Sequence, residues 1–146
     1  MDQSINEARR ENRLRLYLMR HGEIERGANS VCYGHTDVAL SARGLEQSNR
    51  LCEALKAINL AAVYSSDLAR ASHAAELIAR SHGLKAISLP ALREINMGEW
   101  EGRTLEEVSA ANAEMAARLF LDPRGFQYPG GESFSEFERR VGNALQ

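Results

Sequence analysis

Apolar residues in this chain fall into short alternating runs separated by longer stripes of helical spacing. Leu14-Arg15-Leu16-Tyr17-Leu18-Met19 alternates and then turns apolar, which predicts a strand buried on at least one face. Gly22 breaks that pattern just after Arg20-His21. From Gly22 to Leu40, glycines at 27 and 34 and few apolar pairs predict a long loop. Ser41 opens a helix with Leu45, Ser48, Leu51, Cys52 and Leu55 on its inward face. Ala61-Ala62-Val63-Tyr64 predicts a second strand. Ser66 then serves as N-cap for a helix to about His82, with Leu68, Ala71, Ala75 and Ile78 inward and Gly83 as its stop.

Ala86-Ile87-Ser88-Leu89 predicts a third strand, ended by Pro90. Thr104-Leu105-Glu106-Glu107 has capping-box form and opens one helix to about Leu121, with a stripe of Leu105, Val108, Met115 and Leu119. Pro129-Gly130-Gly131 predicts a turn. Ser133 and Glu136 form a second capping box, followed by Phe137, Val141 and Leu145, and the pattern still reads as helix at Gln146. Strands alternating with helices predict an α/β layered domain over residues 14–146. Residues 1–13 read as a polar leader without a hydrophobic signal core. In such sheets ligands collect outside the carboxyl ends of the strands, where His21 and Ser65-Ser66 both fall.

Composition narrows the function classes. The chain has 146 residues, enough for one domain with a core, and 44% hydrophobic with 26% charged residues is ordinary globular usage. A net charge of −2 argues against a nucleic-acid surface. No apolar stretch approaches membrane-spanning length, so a cytoplasmic protein without membrane partners is expected. Cys32 and Cys52 are too few for a disulfide framework or a metal site, and Cys52 reads as core filling. Of the 18 basic residues only Lys56 and Lys85 are lysines. Arginine suits phosphate recognition because its planar fork donates bidentately, although a codon bias explains most of them equally well.

The residues at the strand ends fit phosphoryl transfer. A neutral imidazole such as His21 is a competent nucleophile that divides one hard displacement into two easier ones. Arg20 beside it, and Arg70 one turn into the helix after Ser66, supply rigid cationic donors for a phosphate dianion. A carboxylic acid must then protonate the leaving alkoxide, and Glu94 after the third strand suits that task in competition with Glu99 and Glu101. His35 and His73 are weaker candidates for touching substrate. Each of these residues also has an ordinary reading as surface or packing, and their order along the chain is what lends them weight. Phe120, Phe126 and Tyr128 suit a substrate lid, a homodimer interface or simple packing.

Arg20-His21-Gly22-Glu23 resembles the signature of the histidine phosphatase superfamily, which has the phosphoglycerate mutase-like fold. The resemblance continues through Tyr33 to Ser41, Arg43-Gly44 and Gln47, then Ser65 to Ala71. It resumes at Leu92-Arg93-Glu94, Gly98 to Gly102 and Pro129 to Ser133, and so covers about residues 14–145. It implies a three-layer αβα domain with a mostly parallel central sheet. It also implies His21 as the phosphorylated nucleophile, Arg20 and Arg70 as phosphate clamps and Glu94 as proton donor. The partner implied is a small phosphorylated metabolite, and no metal or cofactor is called for. Trp100-Glu101-Gly102 resembles the phosphatase branch more than the glycolytic mutases. Val31 to Asp37 resembles the α-ribazole phosphatases of cobalamin assembly.

Two departures from the family pattern set further expectations. Many members carry asparagine six positions after the nucleophile, where this chain has Gly27. The family also has a second active-site histidine, in a His-Gly pair beyond the Pro-Gly-Gly-Glu-Ser block, whereas residues 83–146 here contain no histidine. The expectation is therefore a domain incomplete at its carboxyl end, with weakened phosphatase activity or phosphate binding alone. Loss of one preorganised donor costs about 10²–10³ in rate. A mutase-type isomerase is the alternative catalytic reading.

Overall fold

The computed structural model describes residues 14–25 and 31–146. The polar leader 1–13 and the Gly27 position lie outside them. Among the described residues, seven helices and strands follow in order: α1 (Ala42–Leu55), β1 (Val63–Ser65), α2 (Ala69–Ser81), β2 (Ala86–Ser88), α3 (Leu105–Ala111), α4 (Ala113–Leu121) and α5 (Phe134–Ala144). The order and the parallel pairing are those of an α/β protein. β1 and β2 run parallel, with Val63 opposite Ala86 and Ser65 opposite Ser88. Helix α2 connects them, as a parallel pair requires a crossover.

One face of this sheet is packed and the other is open. Val63 joins Leu55, Ala75, Ile78 and Ala79 in an aliphatic core under α1 and α2. Tyr64 and Ile87, on the opposite face by the two-residue period, remain exposed. The second core is aromatic. Trp100, Phe126 and Tyr128 meet with centroids 5.1–5.3 Å apart, two of the three pairs edge to face, against Val108 and Ala116. Packing is thus the role of Phe126 and Tyr128, while Phe120 is exposed.

The predicted strand at 14–19 does not form. Tyr17 packs on the aliphatic core, so the period of two turns Leu14 and Leu18 outward, at 94% and 83% exposure. Alternation alone cannot make a strand. A ladder needs a backbone partner, and among the described residues none pairs with residues 14–20.

The helices follow the predicted caps with four corrections. Ser41 and both capping boxes, Thr104 with Glu107 and Ser133 with Glu136, hold as read. Leu45 is exposed, however, because the inward face of α1 is Gly44, Ser48 and Leu55. Ser66 does not cap α2. The cap position is Leu68, and Asp37, from the distant loop, accepts from the Ala69 amide at 2.9 Å in place of a local side chain. The single helix over 104–121 is broken at Asn112, whose side chain accepts from the Met115 amide at 3.0 Å and starts α4 afresh. α5 stops at Ala144 rather than running through Gln146.

Gly83 ends α2 as predicted, at φ 67°. Its amide donates to Arg80 and the Leu84 amide donates to Ala79, the Schellman arrangement, which needs a left-handed residue at this position.

Candidate active site

His21 sits on an arm held against the first turn of α1. The Glu23 carbonyl accepts from the Ser41 amide at 2.9 Å, the Glu23 amide donates to Gln47 at 2.8 Å, and the Ser41 hydroxyl donates to the Glu23 carboxylate at 2.8 Å. The arm can approach so closely because the chain has glycine on both sides. A Cβ at Gly44 would collide with the Glu23 carbonyl, and one at Gly22 with Gly44. The helix residue read as packing by its stripe, Leu45, is displaced by its glycine neighbour for this reason.

The imidazole is oriented by its own loop. His21 Nδ1 lies 2.7 Å from the Gly22 carbonyl oxygen. A carbonyl only accepts, so Nδ1 carries the proton and the lone pair of the neutral ring is on Nε2. Arg20 is exposed and, among the described residues, bonds to no acceptor.

Arg70, in the first turn of α2, is 3% exposed. Its Nη1 donates to the Thr36 carbonyl at 2.7 Å and its Nη2 to the Gly34 carbonyl at 2.6 Å. Burial pushes its guanidinium below the ordinary arginine value, opposed by the negative charges of Asp37, Glu101 and Glu94. The arginine therefore holds the 34–36 loop before it holds anything else. Its Nε–H and one N–H on each Nη lie outside these two bonds.

Glu101 grips the same loop from the other side. Its carboxylate accepts from the His35 and Thr36 amides, each at 2.6 Å, and from the Met97 amide at 3.2 Å. Burial would raise its carboxyl, but hydrogen bonding from Thr36, His35 and Met97 outweighs that and leaves it below the usual carboxylate range. Glu101 is thus committed to the loop. His35 is held here with its Nε2 buried and unpartnered among the described residues.

Glu94 follows β2 and a short 3₁₀ turn, Pro90–Leu92. It is exposed, accepts among the described residues only from the Ile95 amide at 2.8 Å, and lies within electrostatic reach of Arg70. Of the three competing glutamates, Glu101 is occupied, and Glu94 is near enough for its charge to act on Arg70. The turn carrying Glu94 is braced on both sides. Arg93 forms a two-pronged ion pair with Asp67, with Nε 2.6 Å from Oδ1, and this pair holds the Asp67 carboxyl below its ordinary value. Arg140 of α5 pairs with Glu132 and holds that carboxyl down likewise.

Arg70, His35, Glu94, Asp67 and Glu132 therefore share one neighbourhood. His21 and Arg20 enter on a separate arm, and no hydrogen bond or ion pair among the described residues joins His21 to Arg70 or Glu94. His73 lies on α2 outside this cluster's hydrogen bonds. Sequence reading missed the bracing pairs. Asp67 and Glu132 lay within the blocks of family resemblance, but nothing local in α5 marked Arg140, since the carbonyls it holds are 46 to 49 residues away.

The chain is similar to several known proteins. It is 33% identical over 132 residues to the probable phosphoglycerate mutase GpmB of Yersinia enterocolitica, covering 90% of this chain and 61% of that one. Its fold matches the alpha-ribazole phosphatase of Shigella flexneri with a TM-score of 0.80 and 31% identity, over 87% of this chain and 63% of that one. It also matches a mycobacterial glucosyl-3-phosphoglycerate phosphatase with a TM-score of 0.77 and 29% identity, over 86% and 58%. The parallel sheet and its helices are those of the phosphoglycerate mutase-like fold. The chain spans less than two thirds of the length of these relatives. Among the described residues no helix is long and apolar enough to cross a membrane. With residues 16–146 matching its sequence pattern, the chain belongs to the histidine phosphatase superfamily, branch 1.

Proposed function

We propose that this chain carries the phosphate-handling half of a metal-independent phosphomonoesterase working through phosphohistidine. The observation that carries the reading is the buried Arg70 guanidinium, fixed by the Gly34 and Thr36 carbonyls just past the carboxyl end of β1, with the exposed Glu94 following β2. In the first step, His21 Nε2 attacks phosphorus and forms an N–P bond as the ester P–O bond breaks. Glu94 gives its proton to the departing alkoxide. Water then attacks the phosphohistidine, Glu94 takes back a proton, and inorganic phosphate leaves with His21 restored. Arg20 and Arg70 balance the charge of the transferring group.

α-Ribazole 5′-phosphate is the proposed substrate, supported by the 31–37 loop sequence and by the fold of the Shigella phosphatase. The name of the Yersinia relative supports a second reading, a phosphotransfer isomerase, which would need a bisphosphorylated primer. The deciding experiment is phosphate release from α-ribazole 5′-phosphate by the 146-residue chain, with His21→Ala as the blank. Release above the blank without primer is expected. Turnover only with a bisphosphorylated primer would favour the isomerase, and ester binding without turnover would overturn the catalytic reading for this chain.

A further inference from the structure

We infer that Arg140, on the last helix, is a positioning residue that sets where the Glu94 carboxyl stands, an inference that rests on Glu94 being the proton donor. The geometry is concentrated on one turn. Arg140 Nε and Nη2 grip the two oxygens of Glu132 at 2.8 and 2.6 Å. Nη1 donates to the carbonyls of Ala91 and Arg93 at 2.8 and 3.1 Å, and Nη2 also donates to the Glu94 carbonyl at 3.2 Å. Every N–H of the guanidinium is then engaged. Glu132 extends the grip beyond Glu94, accepting from the Asn96 amide at 2.9 Å. The backbone is thereby pinned immediately before, at and after the proposed donor.

The Glu94 side chain lacks any comparable hold. Its carboxylate is exposed and, among the described residues, accepts only from the adjacent Ile95 amide. Its reach is therefore governed by its backbone, and the backbone by Arg140. The guanidinium is steadied in turn by the Phe137 ring, 5.4 Å below it. A planar fork is required, because a lysine ammonium cannot grip two carboxylate oxygens and three carbonyls in fixed directions.

The test compares esters that do and do not need a proton on leaving. An alkyl phosphate needs one, and p-nitrophenyl phosphate does not. In the full chain, Glu94→Gln and Arg140→Lys should both lower kcat on the alkyl ester with KM little changed, Arg140→Lys by about tenfold to a hundredfold. Both should largely spare the first-turnover burst of p-nitrophenol from the aryl ester, which precedes the Glu94-assisted hydrolysis of the phosphohistidine, and the double variant should be no slower than Glu94→Gln alone. Equal first-turnover losses on both esters for Arg140→Lys, or losses that multiply in the double variant, would overturn the inference and leave Glu94 in place. If Glu94→Gln itself shows no leaving-group dependence, the assignment of the donor fails and this inference goes with it. Amide hydrogen exchange gives a readout independent of turnover. Arg140→Lys should speed exchange at Leu92, Arg93, Ile95 and Asn96 while α1 and α2 stay protected. Unchanged exchange at those amides, or acceleration throughout the chain, would refute the positioning role.

Discussion

The arm bearing His21 and the loops bearing His35 and Glu94 are held in place by different physics. The loops are fixed by ionised side chains reaching from far along the chain: Arg70 and Glu101 on residues 34–36, Arg140 and Glu132 on residues 91–96. The arm relies on close backbone approach at Gly22 and Gly44, on Glu23, and on Tyr17 against the aliphatic core. Charge-assisted bonds to backbone groups are directional and about twice as strong as neutral ones. They can hold irregular backbone where no ladder exists. A stretch of alternating leucines has no such directionality and waits for a partner strand. The difference shows that in this molecule charge-assisted bonds hold the loops of the site, whereas the segment leading to its histidine has no ladder among the described residues.

Removing Arg70 should break that contrast most severely. Arg70→Met leaves the Gly34 and Thr36 carbonyls bare, each costing about 1–3 kcal/mol, and frees Glu101 to repel its neighbours. The expected result is a drop in urea midpoint larger than that of Gly44→Ala, Glu132→Gln or Leu16→Ser, with loss of phosphate binding. The arm has its own weak point at Gly44. Gly44→Ala forces a methyl into the Glu23 carbonyl, and an overpacked contact of this kind costs about 1–3 kcal/mol. Its signature should be faster amide exchange at Glu23 and Ser41 without change at residues 34–36.

Acid sharpens the comparison further. Glu101, Glu132 and Asp67 all have carboxyls lowered by their native partners. A group with a depressed folded-state value stabilises above its unfolded value and loses that contribution as pH falls through the folded one. The loops should therefore loosen as pH drops below the ordinary glutamate value of about 4.3. Glu132→Gln should be less stable at neutral pH, by hydrogen exchange at Asn96, and show a shallower acid dependence. The smallest effect belongs to the open side of the arm. Leu16→Ser, at an exposed position, should shift stability by no more than about 0.5 kcal/mol. A larger loss on thermal unfolding would mean that the leucine face is covered.

Legibility followed the range of the interactions. Caps and turns are local chemistry, so Ser41, Thr104, Ser133 and Gly83 could be read directly and stand as read. The parallel pairing of Val63–Ser65 with Ala86–Ser88 follows from the alternation of strands and helices. The strand at 14–19 failed because its pattern specifies a face without specifying a partner. The cap of α2 was misplaced because the true acceptor, Asp37, is 32 residues away.

By itself, the sequence determined the caps that open α1, α3 and α5, the end of α2 at Gly83, the α/β order and the residue types a phosphate site needs, since each depends on neighbours within a turn or two. Only the tertiary structure decided which charges are spent and which remain available. Arg70 and Glu101 proved committed to a loop, Glu94 was left exposed, and Arg140 was recruited from the far end of the chain. The reason is that an ionised side chain finds its acceptor in three dimensions, where backbone carbonyls from distant segments converge, and no spacing along the chain encodes that convergence.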